Sequence, residues 1–316
     1  MKITILDKIA MGEDTPFQIL DTFGEVIEYS NTQPDETLLH IGDSEVIIVN
    51  KVKIDYNHMN SAKNLKLICV FATGYDNIDI NAAKKLGIAV CNVSGYSTDS
   101  VALFTAATVL SLISHLGEYN RFVRSGLYTN SGVVNRITPV FHELRGMTWG
   151  IVGAGNIGTA VMKIAEAFGA NVIVNKRTPN DKYNCVDIDT LCRESDIITL
   201  HCPLNDSTRK LIGKERISVM KNGVILVNEA RGDVLNERDV TDAVKSGKIA
   251  AFGCDVYSTE PFSEDHPYNE IKDYDNVILT PHTAWGSYEA RVRCIRTVAE
   301  NIKSYLSGDV LNRVDL

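Results

Sequence analysis

The stretch GIVGAGNIGTAVMKIAEAFGANVIV, residues 150–174, constrains the fold more than any other part of this chain. An apolar run, TWGIVG (148–153), leads into Gly153, Gly155 and Gly158, spaced Gly-x-Gly-x-x-Gly. Apolar side chains then recur at Ile157, Val161, Ile164, Ala165 and Phe168, along one helical face, and the pattern stops near Gly169. Strand, glycine turn and helix in that order open a dinucleotide-binding unit. Gly153 serves the tight turn, Gly155 lets the backbone approach a pyrophosphate, and Gly158 lets the helix pack closely on the strand. Free amides at the helix start face the phosphates. Glycines serving only a tight turn are the simpler alternative.

The second strand of such a unit normally ends on an acid that holds the adenosine ribose. Here VIVNKRTP (172–179) offers Asn175, Lys176 and Arg177. A carboxylate would repel a ribose 2′-phosphate, whereas a guanidinium beside an ammonium attracts it through charge-assisted bonds. NADP is therefore the expected cofactor, with NAD possible if these side chains are merely solvated.

Strand-like runs alternate with helical patterns throughout, the signature of parallel α/β architecture. KITIL (2–6), EVIIV (45–49), KLICVFA (66–72) and IAVC (88–91) form a first series, with a helix in NIDINAAKKLG ending at Gly87. A second series comprises TWGIVG, NVIVN (171–175), DIITLHC (196–202), GVILVN (223–228), IAAFGCDV (249–256) and NVILT (276–280). The expected fold is α/β, two Rossmann-like doubly wound parallel-sheet domains. A discontinuous domain takes residues 1–97 plus 289–316, because the last helical pattern follows the final strand, and a dinucleotide-binding domain takes 98–288. DSVALFTAATVLSLISHLG, apolar on almost every face, is expected to be covered partly by a second subunit.

With 32 basic and 40 acidic side chains the net charge is −8, which argues against nucleic acid as the main partner. The apolar run at 101–113 is too short to span a bilayer and the N-terminus reads as a strand, so a cytoplasmic protein without a membrane partner is expected. Seven cysteines without a C-x-x-C pair suggest neither a metal site nor a disulfide framework.

In open α/β sheets ligands bind beyond the carboxyl ends of the strands. Arg231, Glu260 and His282 each follow a run of the second series. Singly, each reads as a turn arginine, a solvated loop acid or a structural histidine; their common placement is what points to chemistry.

These residues lie in stretches that resemble the D-isomer-specific 2-hydroxyacid dehydrogenases: ATGYDNID (72–79), VGAGNIG (152–158), HCPLNDSTRKLIG (201–213), VNEARGDVLNE (227–237), DVYSTEP (255–261) and TPHTAW (280–285). They occur in the family's order over nearly the whole chain, and Trp285 in PHTAWGSYEAR is similar to glycerate dehydrogenases, also called hydroxypyruvate reductases. The resemblance implies an active cleft between the two domains and a homodimer. By motif position Arg231 would bind the substrate carboxylate and polarise the keto oxygen. His282 would donate the proton, and Glu260 would hydrogen-bond His282 and favour its protonated form. Asp255 would orient the nicotinamide carboxamide, Thr73 and Gly74 would give backbone amides to the carboxylate, Pro203 and Thr208 would line the adenosine side, and Asn156 and Ile157 the pyrophosphate.

The expected reaction is NADPH-linked reduction of a small 2-keto acid, hydroxypyruvate first and glyoxylate second. Trp285 closes one side of a small pocket or, equally, packs in a core; a bulkier keto acid is the corresponding alternative. A redox-sensing corepressor-like protein is a second reading, and formate oxidation fits poorly because Glu260 stands where formate dehydrogenases carry Gln. Two departures stand out: Leu103-Phe104 where relatives usually have Glu-His or Gln-His, and Glu229 where Thr is usual.

Overall fold

The computed structural model describes residues 1–178 and 182–316, so Pro179 at the end of the VIVNKRTP stretch lies outside the described residues. They divide into two compact units, Met1–Ser97 with Gly286–Leu316, and Thr98–Trp285. The return to the first unit falls at Gly286, against an expected 289.

Five parallel strands build the first unit: β1 (Lys2–Ile5), β2 (Glu25–Glu28), β3 (Val46–Val49), β4 (Leu67–Val70) and β5 (Ala89–Cys91), in the order β2-β1-β3-β4-β5. β3 and β4 are buried along their whole length, as a parallel sheet covered on both faces requires. The helix Ile80–Leu86 shows why its ends fall where they do. The Asp79 side chain accepts the Ala82 amide at 2.9 Å, and Gly87 leaves the helix with φ 69°. The helix Tyr288–Leu306 belongs to this unit, and beyond it Asp315 accepts the Val90 amide at 2.8 Å.

The second unit carries six parallel strands, β6 (Thr148–Val152), β7 (Asn171–Asn175), β8 (Ile197–Leu200), β9 (Val224–Asn228), β10 (Ile249–Cys254) and β11 (Val277–Leu279). Their order is β11-β10-β9-β8-β6-β7, extended past β7 by a parallel bridge between Val174 and Cys185. Strand order reverses at β6, and such a switch opens a crevice at the carboxyl edge of the sheet. Beneath that edge the core is tightly built: Trp149 is fully buried and donates its indole N–H to the Thr199 hydroxyl at 3.1 Å.

The apolar helix spans Thr98–Ile113 and packs against the helix Asn156–Ala167 and against β9 and β10. Its own unit thus covers most of it, leaving Leu103 and Ala107 exposed. The expected cover by a second subunit is narrowed accordingly: the larger apolar surface lies beyond the helix, where Leu116, Val123, Leu127, Val134, Ile137 and Phe141 are exposed. Among the described residues no single helix is long and apolar enough to cross a membrane; one bent pair, Thr98–Ile113 with Leu116–Arg124, passes by length and composition alone.

Candidate active site at the carboxyl edge of the second sheet

The three glycines of the loop after β6 differ in what surrounds them. Gly153 has φ 95°, and a Cβ there would lie 2.7 Å from the Cys202 amide nitrogen and 2.8 Å from the His201 carbonyl carbon. The turn can therefore press against the connection leaving β8 only without a side chain. A Cβ on Gly158 would overlap the Gly153 carbonyl oxygen, while one on Gly155 would meet nothing within 4 Å among the described residues. Gly155 is the N-cap of the helix Asn156–Ala167, so the open side of the loop faces the helix's free amides. A turn glycine, a packing glycine and a glycine facing open space together fit a dinucleotide pyrophosphate.

At the end of β7, the Asn175 carbonyl accepts the Gly153 amide at 2.8 Å and the Asn175 side chain donates to the Val186 carbonyl at 3.1 Å. Asn175 thus ties the loop to the short bridge segment. Lys176 is half-buried with its ammonium 5.2 Å from the Tyr183 ring centre, and Arg177 is exposed. Tyr183, which sequence reasoning missed, also lies 3.4 Å from the Thr159 hydroxyl, so the two lysines Lys176 and Lys182 that flank its ring are anchored to the glycine-loop helix. After β8 the Thr208 hydroxyl donates to the Pro203 carbonyl at 2.7 Å and accepts the Asn205 amide at 2.8 Å, closing that loop on itself.

Arg231, Glu260 and His282 follow β9, β10 and β11, three neighbouring strands whose backbones span roughly 10 Å. The Glu260 carboxylate accepts from His282 Nδ1 at 2.6 Å and from the Tyr257 amide at 3.0 Å. With Nδ1 engaged, Nε2 is the ring nitrogen left to exchange a proton, and it has no partner among the described residues. Arg231 is half-buried, donates Nη1 to the Ala230 carbonyl at 2.8 Å, and forms no ion pair among the described residues. An unneutralised guanidinium of this kind is a ready receptor for a carboxylate.

Asp255 explains how His282 is held. It is almost wholly buried, and its carboxylate accepts the Thr280 hydroxyl at 2.6 Å and the Thr283 and Ala284 amides at 2.8 and 2.9 Å. Its backbone carbonyl takes the His282 amide at 2.9 Å. His282 sits at φ 51°, a conformation that persists only where the surroundings over-determine it. Of about four acceptor sites on the carboxylate, three are committed to this loop.

A second carboxylate–imidazole pair fastens the Glu260 loop. Glu237 accepts the Ser258 amide at 2.9 Å, the Ser258 hydroxyl at 2.6 Å and His266 Nε2 at 2.9 Å, while His266 Nδ1 accepts the Tyr268 amide at 3.2 Å. Neither residue stood out in the sequence; the only signal was a histidine before Pro267 after the Glu260 stretch. Glu229 is buried beside Asp255, and burial and that neighbouring charge push its carboxyl up to about 8. His201 is held neutral by burial, which lowers its imidazole to about 3. Thr73, in the first unit after β4, donates its hydroxyl to the Val93 carbonyl at 2.8 Å, with Gly74 next to it. Trp285 is half-buried at the end of the second unit.

The family model described as the D-isomer specific 2-hydroxyacid dehydrogenase, NAD binding domain, matches residues 106–284. The chain belongs to the D-isomer-specific 2-hydroxyacid dehydrogenase family. Like other members of this family, it is an oxidoreductase acting on CH–OH donors with a nicotinamide dinucleotide. Among D-2-hydroxyacid dehydrogenases and their relatives it is 37% identical to a hydroxypyruvate reductase of Blautia hydrogenotrophica, over the whole of both chains. It is 32% identical to a glycerate dehydrogenase of Methylorubrum extorquens over 99% of each. A solved acyclic imino acid reductase, Bsp5, in complex with NADPH and D-Arg, superposes with a TM-score of 0.87 at 30% identity, covering 99% of this chain and all of that one.

Proposed function

We propose that this dehydrogenase reduces a small 2-keto acid, hydroxypyruvate before glyoxylate, to the D-2-hydroxy acid, with NADPH preferred over NADH. The observation that carries the reading is the 2.6 Å His282–Glu260 pair, with the Arg231 guanidinium two strands away along the same edge. When bound, the reduced nicotinamide supplies the hydride for the keto carbon. Arg231 receives the substrate carboxylate and polarises the keto oxygen. His282 passes its Nε2 proton to that oxygen as negative charge grows there, and Glu260, bonded to Nδ1, fixes the ring's orientation and stabilises its charged form. Asp255 keeps His282 in place, and its remaining acceptor site serves the nicotinamide carboxamide. The hydroxypyruvate reductase and glycerate dehydrogenase relatives support the substrate class.

Gly153, Gly155 and Gly158 with the Asn156 and Ile157 amides take the pyrophosphate, Pro203 and Thr208 border the adenosine, and Lys176 and Arg177 take the ribose 2′-phosphate. NADPH in the solved imino acid reductase supports that cofactor. Initial rates with NADPH and NADH against hydroxypyruvate, glyoxylate, pyruvate and phenylpyruvate test the proposal. His282→Ala is expected to lose most turnover and keep nucleotide affinity. Arg177→Ser is expected to raise the KM for NADPH far more than that for NADH. A lower KM for NADH in the wild type overturns the cofactor preference, and faster turnover of phenylpyruvate overturns the small-substrate reading. The exposed apolar side chains between Leu116 and Phe141 support a homodimer, which a sedimentation mass of one chain would refute.

A further inference from the structure

Glu229 is a buried acidic side chain near this edge that the proposed reaction leaves unused. It follows β9, between Asn228 and the Ala230-Arg231 turn, and only 8% of it is exposed. Thr108, from the helix Thr98–Ile113, donates to Oε1 over a long 3.4 Å, and Oε2 is buried without a partner among the described residues. Asp255 and the Cys254 thiol approach from the end of β10; burial keeps that thiol protonated. Two carboxyl groups therefore compete for one low-dielectric site, and their support is unequal. Asp255 has three donors at 2.6 to 2.9 Å and Glu229 has one weak donor among the described residues, so the carboxyl that stays protonated is Glu229.

We propose that Glu229 is a positioning residue that must hold a proton during turnover, leaving Asp255 the sole carboxylate beneath the 280–284 loop and so keeping His282 aligned. The inference rests on the proposed role of His282. An ionised Glu229 brings a second buried negative charge against Asp255. Relief comes either by moving Glu229 toward water, which disturbs the turn carrying Arg231, or by loosening the bonds from Thr280, Thr283 and Ala284. Both routes displace a group assigned to the reaction. The His282 backbone at φ 51° has little freedom to follow such a movement without losing its 2.6 Å bond to Glu260.

The test uses oxidation of a D-2-hydroxy acid, the direction in which His282 accepts the proton. Loss of the His282 proton alone gives a rate that rises with pH and then levels. With Glu229 in its proposed role the wild-type kcat falls again on the alkaline side, about tenfold by pH 9 for a group near 8, and recovers on return to pH 7. Glu229→Gln, which keeps the shape and cannot ionise, is expected to abolish that fall, and so is Glu229→Thr; Glu229→Asp is expected to retain it. A level wild-type profile overturns the proposal, as does an alkaline fall that persists in either non-ionising variant. Full activity in His282→Ala refutes the reaction roles instead, and is read separately.

Discussion

The glycine loop permits a prediction in which two neighbouring substitutions of the same kind have opposite consequences. In Gly158→Ala the new methyl overlaps the Gly153 carbonyl oxygen and stands 3.0 Å from its carbon and 3.2 Å from Ile151 Cγ2. Two of these three atoms are backbone in the strand-to-helix turn, so relief requires the helix Asn156–Ala167 to lift from β6. Overpacking of this order costs about 2 kcal/mol, partly offset by the helix preference of Ala over Gly. For a unit of this size that lowers Tm by on the order of 5 °C. In Gly155→Ala the methyl meets nothing within 4 Å among the described residues and the backbone, at φ −79° and ψ −160°, accepts any residue. Stability is therefore unchanged within about 0.5 kcal/mol. The same methyl stands in the open space before the helix amides, and NADPH affinity is expected to fall at least about tenfold, or about 1.4 kcal/mol. Urea melts without nucleotide and fluorescence titration with NADPH measure both quantities. A stable Gly158→Ala, or a Gly155→Ala that binds NADPH as the wild type does, would refute the division of labour.

Burial of Glu229 also makes stability pH-dependent. Its carboxyl stands near 8 in the folded chain against 4.5 for an unperturbed glutamate, so the folded state holds the proton more tightly. The resulting stability is complete below pH 4.5 and drains away as pH climbs toward 8, by on the order of 5 kcal/mol at most. Relative to wild type, Glu229→Gln should gain stability steadily between urea melts at pH 5 and pH 8; parallel curves would contradict the burial argument. Glu237→Gln removes the charge that holds Ser258 and His266, and is expected to destabilise by about 1–3 kcal/mol and to lower kcat while NADPH affinity holds. Equal losses of kcat and nucleotide affinity would show that the anchor serves more than the Glu260 loop.

How much of this was legible in the sequence depends on how local the cause is. NVIVN becomes β7 at Asn171–Asn175, and the other expected runs contain their strands, overshooting by one to three residues at their ends. The exception is β2: Glu25–Glu28 reads EVIE, too polar to register, because an edge strand is only half covered. Phe168 fits the helical period yet is exposed, since it caps the helix and does not lie on its buried face. Placement of Arg231, Glu260 and His282 at one edge followed from strand ends alone. Their pairing came only from the family resemblance, for nothing local links residues 22 apart; that bond depends on β10 and β11 being neighbours. The Asp255 cradle and the Glu237–His266 anchor were hidden for the same reason, being built from carboxylates and loops brought together only by the finished sheet.

The first unit is written in two instalments, with the second unit's whole sequence between them. During synthesis Thr98–Trp285 has all its strands before residues 286–316 leave the ribosome, whereas β5 must wait for Val314 and Asp315, which bond to Val90 from the far end. Folding order thus reverses translation order: the half begun first is finished last. A nascent chain stalled once residue 285 has cleared the ribosome should already protect Trp149 from solvent while leaving β5 open to proteases.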